Sequence, residues 1–248
     1  MKSISELWDT CIQFMWDEEY INGLEEFLKS NSVETVLDPA GGTGFPSIPL
    51  KRRGWDITYA DSSKLMIEHF EKKLKKAKLN IPHYQIDWEH LPNAINKKFD
   101  AVLCRGNSLI YADSWHENNI EKTTLEHIKN SLRAFKAMLN GDGVVYVDII
   151  NQKEYDKDYP LIEEFGEREI NGKKIKLDWE LIHDYDKKIR TWKSIITING
   201  KKSEFVRYSY LLRHIELTDL MNQAGFSGVQ EIPIRGEHNY DVFIGYKK

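Results

Sequence analysis

Apolar and polar positions along the chain change their period several times, and each change marks an element. Leu7, Ile12, Met15, Ile21, Leu24 and Leu28 recur at roughly helical spacing up to Asn31, behind Ser3-x-x-Glu6, which reads as a capping box. The chain is therefore expected to begin with a helix. Five apolar runs follow that read as strands: ETVLD (34–38), DITYAD (56–61), HYQID (83–87), FDAVLC (99–104) and GVVYVDII (143–150). Helical stretches separate them, and strands alternating with helices imply parallel strands joined by crossovers, a doubly wound α/β sheet. Past Ile150 the pattern becomes strand-like throughout. IKLDWELIHDYD, IRTWKSIITI and EFVRYSYLLRH are three such runs, with Asp186-Lys187-Lys188 and Asn199-Gly200-Lys201 as turns between them. A helix from Leu217 to Ala224 is expected to stop at Gly225, and GVQEIPI and YDVFIGYKK then make a final antiparallel pair. The expected organisation is one domain over 1–248. It has a helical cap (1–31), a binding core (33–150), an antiparallel insertion acting as a lid (152–213) and a C-terminal helix and strand pair (214–248).

Composition narrows the function classes. A chain of 248 residues that is 41% hydrophobic can build one large core. A net charge of -4 gives no field to gather a polyanion, so nucleic acid is not an expected partner. The lysine-rich run EKKLKKAK (71–78) is read as a solvated helix face. Cys11 and Cys104 form neither a disulfide framework nor a zinc pattern, and no metal is expected. No apolar run approaches the roughly 20 residues that cross a bilayer, and no export signal opens the chain, so a cytoplasmic protein without membrane contact is expected.

The candidate chemistry sits at the strand ends. In VLDPAGGTGFPSIPL (36–50), Asp38 precedes Pro39 and is pushed to extended geometry, while Gly42 and Gly44 let the backbone turn tightly and approach a ligand without a Cβ. Pro46 suits the first turn of the next helix, and Gly54 its C-terminal cap. NAD, FAD and nucleotide sites all use such turns. Asp61 ends the second strand, where a carboxylate can accept from a ribose diol. Asp87-Trp88 ends the third, where an acid and an indole can meet an adenine. Each also has a plain reading, as a helix cap or as core. Their convergence is the stronger point, because ligands of open parallel sheets bind beyond the carboxyl ends of the strands.

The series VLDPAGGTG, ITYADSS, QIDWEHLP and FDAVLCRGNSL resembles the motifs of class I S-adenosylmethionine (SAM) dependent methyltransferases, and most closely those of the glycine and sarcosine N-methyltransferase group. The resemblance covers about Thr35 to Ile150. It implies a Rossmann-like, mostly parallel seven-stranded sheet and SAM as cofactor. It places Asp38, Gly42 and Gly44 at the methionine part, Asp61 at the ribose, and Asp87 and Trp88 at the adenine, with Ala40 and Ser62 also among the cofactor-binding residues. Cys104 and Arg105 would contact SAM chiefly through backbone, and Trp16, with Trp8 and Tyr20, would close over it from the N-terminal helix.

On the acceptor side, Asn107 and Tyr111 follow the fourth strand and are the candidates to orient an amine, although Asn107 also suits a turn and Tyr111 ordinary packing. In the group it resembles, an arginine just after the fifth-strand aspartate binds a substrate carboxylate; here Ile150 stands there, followed by Asn151. A carboxylate without a charged partner in a dry site is costly, so either Arg207 or Arg213 substitutes or the acceptor is not glycine. Trp179, Tyr185, Trp192, Tyr208 and Tyr210 make the insertion rich in aromatics that could wall off an acceptor. The expected function is methyl transfer to a small molecule, an amine nitrogen first, in a chain open to homo-oligomerisation. An O- or S-acceptor, an NAD-dependent oxidoreductase and a non-catalytic SAM-binding subunit are the alternatives.

Overall fold

Every second residue of the central strands faces the same side, and that period of two divides the molecule's apolar residues into two layers. The computed structural model describes residues 4–112, 123–150, 160–170 and 172–248. Strands β1 (Thr35–Asp38), β2 (Asp56–Asp61), β3 (His83–Gln85), β4 (Phe99–Cys104) and β5 (Leu139–Ile150) run parallel, joined by helices α3 (Ser47–Arg52), α4 (Lys64–Ala77), α5 (Leu91–Ala94) and α6 (Thr123–Met138). After α7 (His214–Gln223), β10 (Ser227–Ile232) and β11 (Tyr240–Tyr246) pair antiparallel, and β11 lies antiparallel on β5. The seven strands stand in the order β10-β11-β5-β4-β1-β2-β3, reversing direction of growth between β1 and β4. Val36, Ala101, Leu103, Val144 and Tyr146 pack towards the N-terminal helices and α4. Leu37, Val102, Val145, Val147 and Ile149 pack towards α6 and α7 on the other face. The doubly wound, mostly parallel sheet is as the alternation of strands and helices implied.

The N-terminal segment is two helices rather than one: α1 (Ile4–Met15) and α2 (Glu18–Ser30). Asp17 breaks the run, because its extended backbone lets its carboxylate accept from the N–H groups of Glu19 (2.9 Å) and Tyr20 (3.4 Å) as an N-cap. Ser3 of the expected capping box lies outside the described residues. In the lysine-rich run, Lys72, Lys75 and Lys76 are exposed as expected of a solvated face. Lys73 instead turns to Asp9 of α1.

The insertion is a separate antiparallel sheet in the order β6 (Leu161–Ile170), β7 (Lys173–Asp184), β8 (Ile189–Ile198) and β9 (Lys201–Tyr210). The three strand-like runs became β7 to β9. The edge strand β6 adds a fourth, whose Glu-rich sequence and register shift between Glu164 and Glu167 hide its period. Ile175, Leu177, Trp179 and Leu181 of β7, with Trp192 and Ile196 of β8, turn into the same core as α1 and α2. Trp192 meets Trp8 of α1 edge-on, with ring centroids 5.6 Å apart. The antiparallel sheet and α1 thus close against each other above the parallel sheet's carboxyl ends.

Candidate active site

Between these two covers and the ends of β1, β2 and β4 lies a cleft. Its floor is the glycine turn. Gly41 N–H donates to the Ala60 carbonyl (3.1 Å), Gly44 N–H to the Gly41 carbonyl (2.8 Å), and the Tyr59 hydroxyl to the Gly42 carbonyl (2.6 Å). The three glycines are required for different reasons. A Cβ on Gly41 would stand 2.1 Å from the Tyr59 ring, and one on Gly44 (φ +98) 2.5 Å from Phe70. Gly42 (φ +52) has only Trp8 Nε1 at 3.5 Å before it and leaves its backbone open to the cleft.

Asp61 lies beside this turn. Its carboxylate accepts from Gly42 N–H (2.9 Å) and Ser63 N–H (2.8 Å), and it lines the cleft with Ser62 and Ala40. Burial raises its pKa to about 6, against the pull of the two N–H donors. Trp88 stands opposite, its indole N–H donating to the Pro39 carbonyl (2.6 Å), while Asp87 is exposed in a hollow that opens beside Trp88, Ser62 and Tyr111.

Arg105 forms the far wall. It is 4% exposed, lies over the ring of Trp16 at 4.1 Å and within 5.1 Å of the rings of Tyr20 and Phe45, and donates to the Tyr20 hydroxyl (3.0 Å) and the Phe45 carbonyl (3.1 Å). Trp16 is fixed in turn by Glu237, which accepts its indole N–H at 2.7 Å. Burial, with Asp148 nearby, raises Glu237 to about 7. Asp148 of β5 holds the next turn by accepting from Gly106 N–H (2.9 Å) and Asn107 N–H (2.6 Å).

The structure places several of the expected contact residues away from the cleft's lining. Asp38 and Gly44 support the turn from behind: Asp38 is 1% exposed and accepts from the Ser47 hydroxyl at 2.6 Å, and burial raises it to about 7. Cys104 is fully buried in the layer beyond the sheet. Asn107 does not face the cleft. Its side-chain oxygen takes the Ile150 N–H (3.4 Å) and its backbone adopts a left-handed φ of +58, so the turn reading holds. Tyr210 and Arg213 point elsewhere: the Tyr210 hydroxyl meets Lys188 and Glu216 (both 3.2 Å), and Arg213, with 55% of its side chain exposed, pairs with Glu216. Asn151 lies outside the described residues.

Tyr111 does line the cleft, with Trp8, Trp192 and Ile12. Burial pushes its hydroxyl up to about 12, against Arg190 and Arg207, whose charges act on it from β8 and β9. Arg207 is half-buried and stacks on Phe205 at 5.0 Å. Arg190 carries no signal in the sequence that points to the cleft. It is 1% exposed and donates to His183 Nε2 at 3.1 Å, and burial, helped by Arg190's charge, lowers His183 to about 3, so that histidine is neutral. Among the described aromatics of the insertion, only Trp192 lines the cleft. Trp179 backs it, with centroids 4.8 Å apart, and Tyr185 packs on His183. Glu237, Asp148 and Arg190 carry no local motif, since each gains its place through contacts across the fold.

Residues 36–135 match the family described as "Methyltransferase domain". By this match the stretch is similar to methyltransferase domains. It holds the glycine turn, Asp61, Asp87-Trp88 and Arg105. The chain is 32% identical over 153 residues to the glycine/sarcosine N-methyltransferase of Halorhodospira halochloris, a match covering 60% of this chain and 51% of that protein. It spans about half the length of the curated relatives it matches. The structural likeness extends beyond this stretch to the whole chain. Streptomyces venezuelae DesVI superposes with a TM-score of 0.78 at 16% identity, over 100% of both chains. SAM-bound CalS10 of Micromonospora echinaspora, an amino pentose methyltransferase, superposes with a TM-score of 0.75 at 10% identity, over 98% of this chain and 97% of that one. The architecture is therefore the Rossmann-like fold of these structures.

Proposed function

We propose that the chain is a SAM-dependent methyltransferase acting on a small-molecule acceptor, with an amine nitrogen as the receiving atom. The observation that carries this is the convergence of Asp61, Gly42 and Trp88 on one cleft otherwise fenced by aromatic rings. These residues fit the cofactor. Asp61 can take ribose hydroxyls on lone pairs that its two backbone donors leave over. Trp88 offers a flat face to a purine, and Asp87 an acceptor beside it. When bound, SAM supplies an electrophilic methyl carbon on a sulfonium.

What remains for the protein is alignment and exclusion of water, because displacement at the methyl carbon is in line. Trp8, Trp192 and Tyr111 supply the dry wall. Tyr111 stays protonated at neutral pH, so it orients an acceptor by hydrogen bonding and is not its base. The amine arrives neutral or yields its proton to solvent. The N-methyltransferase relatives and the amino pentose methyltransferase support nitrogen over oxygen or sulfur. Arg190 and Arg207 set positive charge beside Tyr111, which supports an acceptor bearing an anionic group, a group that the apolar Ile150 could not pair. The two unpaired cysteines, both buried, fit a reducing cytoplasm.

Calorimetry tests the cofactor half. SAM and S-adenosylhomocysteine should bind, and Asp61→Ala should weaken both by about 10-fold or more. Binding of NAD in their place overturns the reading. Turnover of SAM across amino acids, methylated amines, amino sugars, phenols and thiols then names the acceptor. SAM binding without turnover on the whole panel would make the chain a non-catalytic subunit.

A further inference from the structure

A buried guanidinium normally has every N–H group paired, because leaving a charged donor dry is costly. Arg105 departs from this. Its Nε is used by Tyr20 and its Nη1 by Phe45, but Nη2 is buried and has no hydrogen-bond partner among the described residues. No described carboxylate forms an ion pair with it. Asp148, whose charge acts on Arg105, has both oxygens engaged by Gly106 and Asn107. Three aromatic rings hold the cation in place, one of them locked by Glu237. Arg105 is thus a firmly held cation that lines the cleft, with one amino group left unpaired among the described residues.

We propose that Arg105 reads a carboxylate through its side chain, and that this carboxylate is the one on the methionine portion of the cofactor. This rests on the SAM reading above. It replaces the backbone contact expected of Arg105 with a charged one. The cofactor is favoured over the acceptor as the source because Arg105 is tied to the glycine turn through the Phe45 carbonyl, whereas Trp192 and Tyr111 fence the acceptor end. Glu237 acts as a positioning residue, keeping Trp16 stacked on the guanidinium.

Ligand-side deletion tests this on the unaltered protein. S-adenosylhomocysteine should bind about 10- to 100-fold more tightly than its decarboxylated counterpart, the range expected of one charge-assisted hydrogen bond. Arg105→Met should remove that preference while changing 5′-methylthioadenosine binding less than about threefold, and Arg105→Lys should restore part of it. Equal wild-type affinity for the carboxylated and decarboxylated ligands overturns the proposal and leaves the SAM reading intact. So does a parallel loss of methylthioadenosine binding in both variants, which marks a structural role. Failure of every adenosyl ligand to bind the wild type overturns both. If the variants change the KM of a carboxylated acceptor and leave adenosyl-ligand affinities unmoved, the carboxylate is the acceptor's and the proposal fails.

Discussion

Asp61 shows how far a single residue can be read from sequence. Its type and its place at the end of β2 were legible, because strand ends in a parallel sheet converge whatever the side chains do. Its ionisation was not, since that depends on burial between Gly42 and Ser63. With its pKa raised to about 6, a ribose diol that donates to the carboxylate should bind the ionised form best. SAM affinity measured by calorimetry should therefore rise from pH 5 to 7.5, with its midpoint near 6 and levelling above about 7, and Asp61→Asn should flatten the profile. A profile unchanged by that substitution would remove Asp61 from the ribose contact. Asn107, Tyr210 and Arg213 show the converse: each had a suitable type at a suitable place, but a neighbouring partner had already claimed its polar atoms.

At the scale of elements, α1 is the informative case. Its apolar period predicted a helix but not that the helix would be a roof. That follows from Asp9, which accepts from the Thr43 hydroxyl (2.8 Å) and Lys73 (2.7 Å) and stands 3.7 Å from His69, joining α1 to the glycine turn and to α4. These contacts bring Trp8 over Gly42 and against Trp192. Because α1 adds few strands or crossovers to the sheet, Asp9→Ala should loosen it locally. Hydrogen exchange of α1 amides should speed up by about 10-fold or more, while protection of β4 and β5 is unchanged. Unaltered exchange in α1 would show that apolar packing alone holds the roof. The edge strand β6 was the element missed, because its inward residues are only half-buried and include Glu163, so it keeps little apolar alternation.

For the whole molecule, the cleft concentrates buried acids. Asp38 and Glu237 are raised to about 7 and Asp61 to about 6, each mainly by burial. A carboxyl whose folded pKa lies above its unfolded value contributes stability that is complete below about pH 4 and is lost as the pH rises through 6 to 7. Each pH unit between the two values is worth about 1.4 kcal/mol. Asp100 works the other way: although burial raises it, bonds from Asn140 and Thr35 hold it low, and its contribution is lost only below about pH 4. The urea midpoint of the ligand-free protein should therefore fall between pH 5 and pH 8, and Glu237→Gln should reduce that slope. A midpoint constant over this range would show that the three acids ionise freely.

The sequence by itself determined the doubly wound sheet, the glycine turn and the acids at the strand ends. These depend on local period, on backbone freedom at Gly42 and Gly44, and on the convergence that parallel strands impose. Only the tertiary structure decided which of those residues face the cleft and what stands across from them. Trp8 and Trp192 meet across the chain, Glu237 reaches back to Trp16, and Arg190 is buried beside Tyr111. Such pairings depend on the register and docking of elements far apart in sequence, where no local pattern constrains the partner.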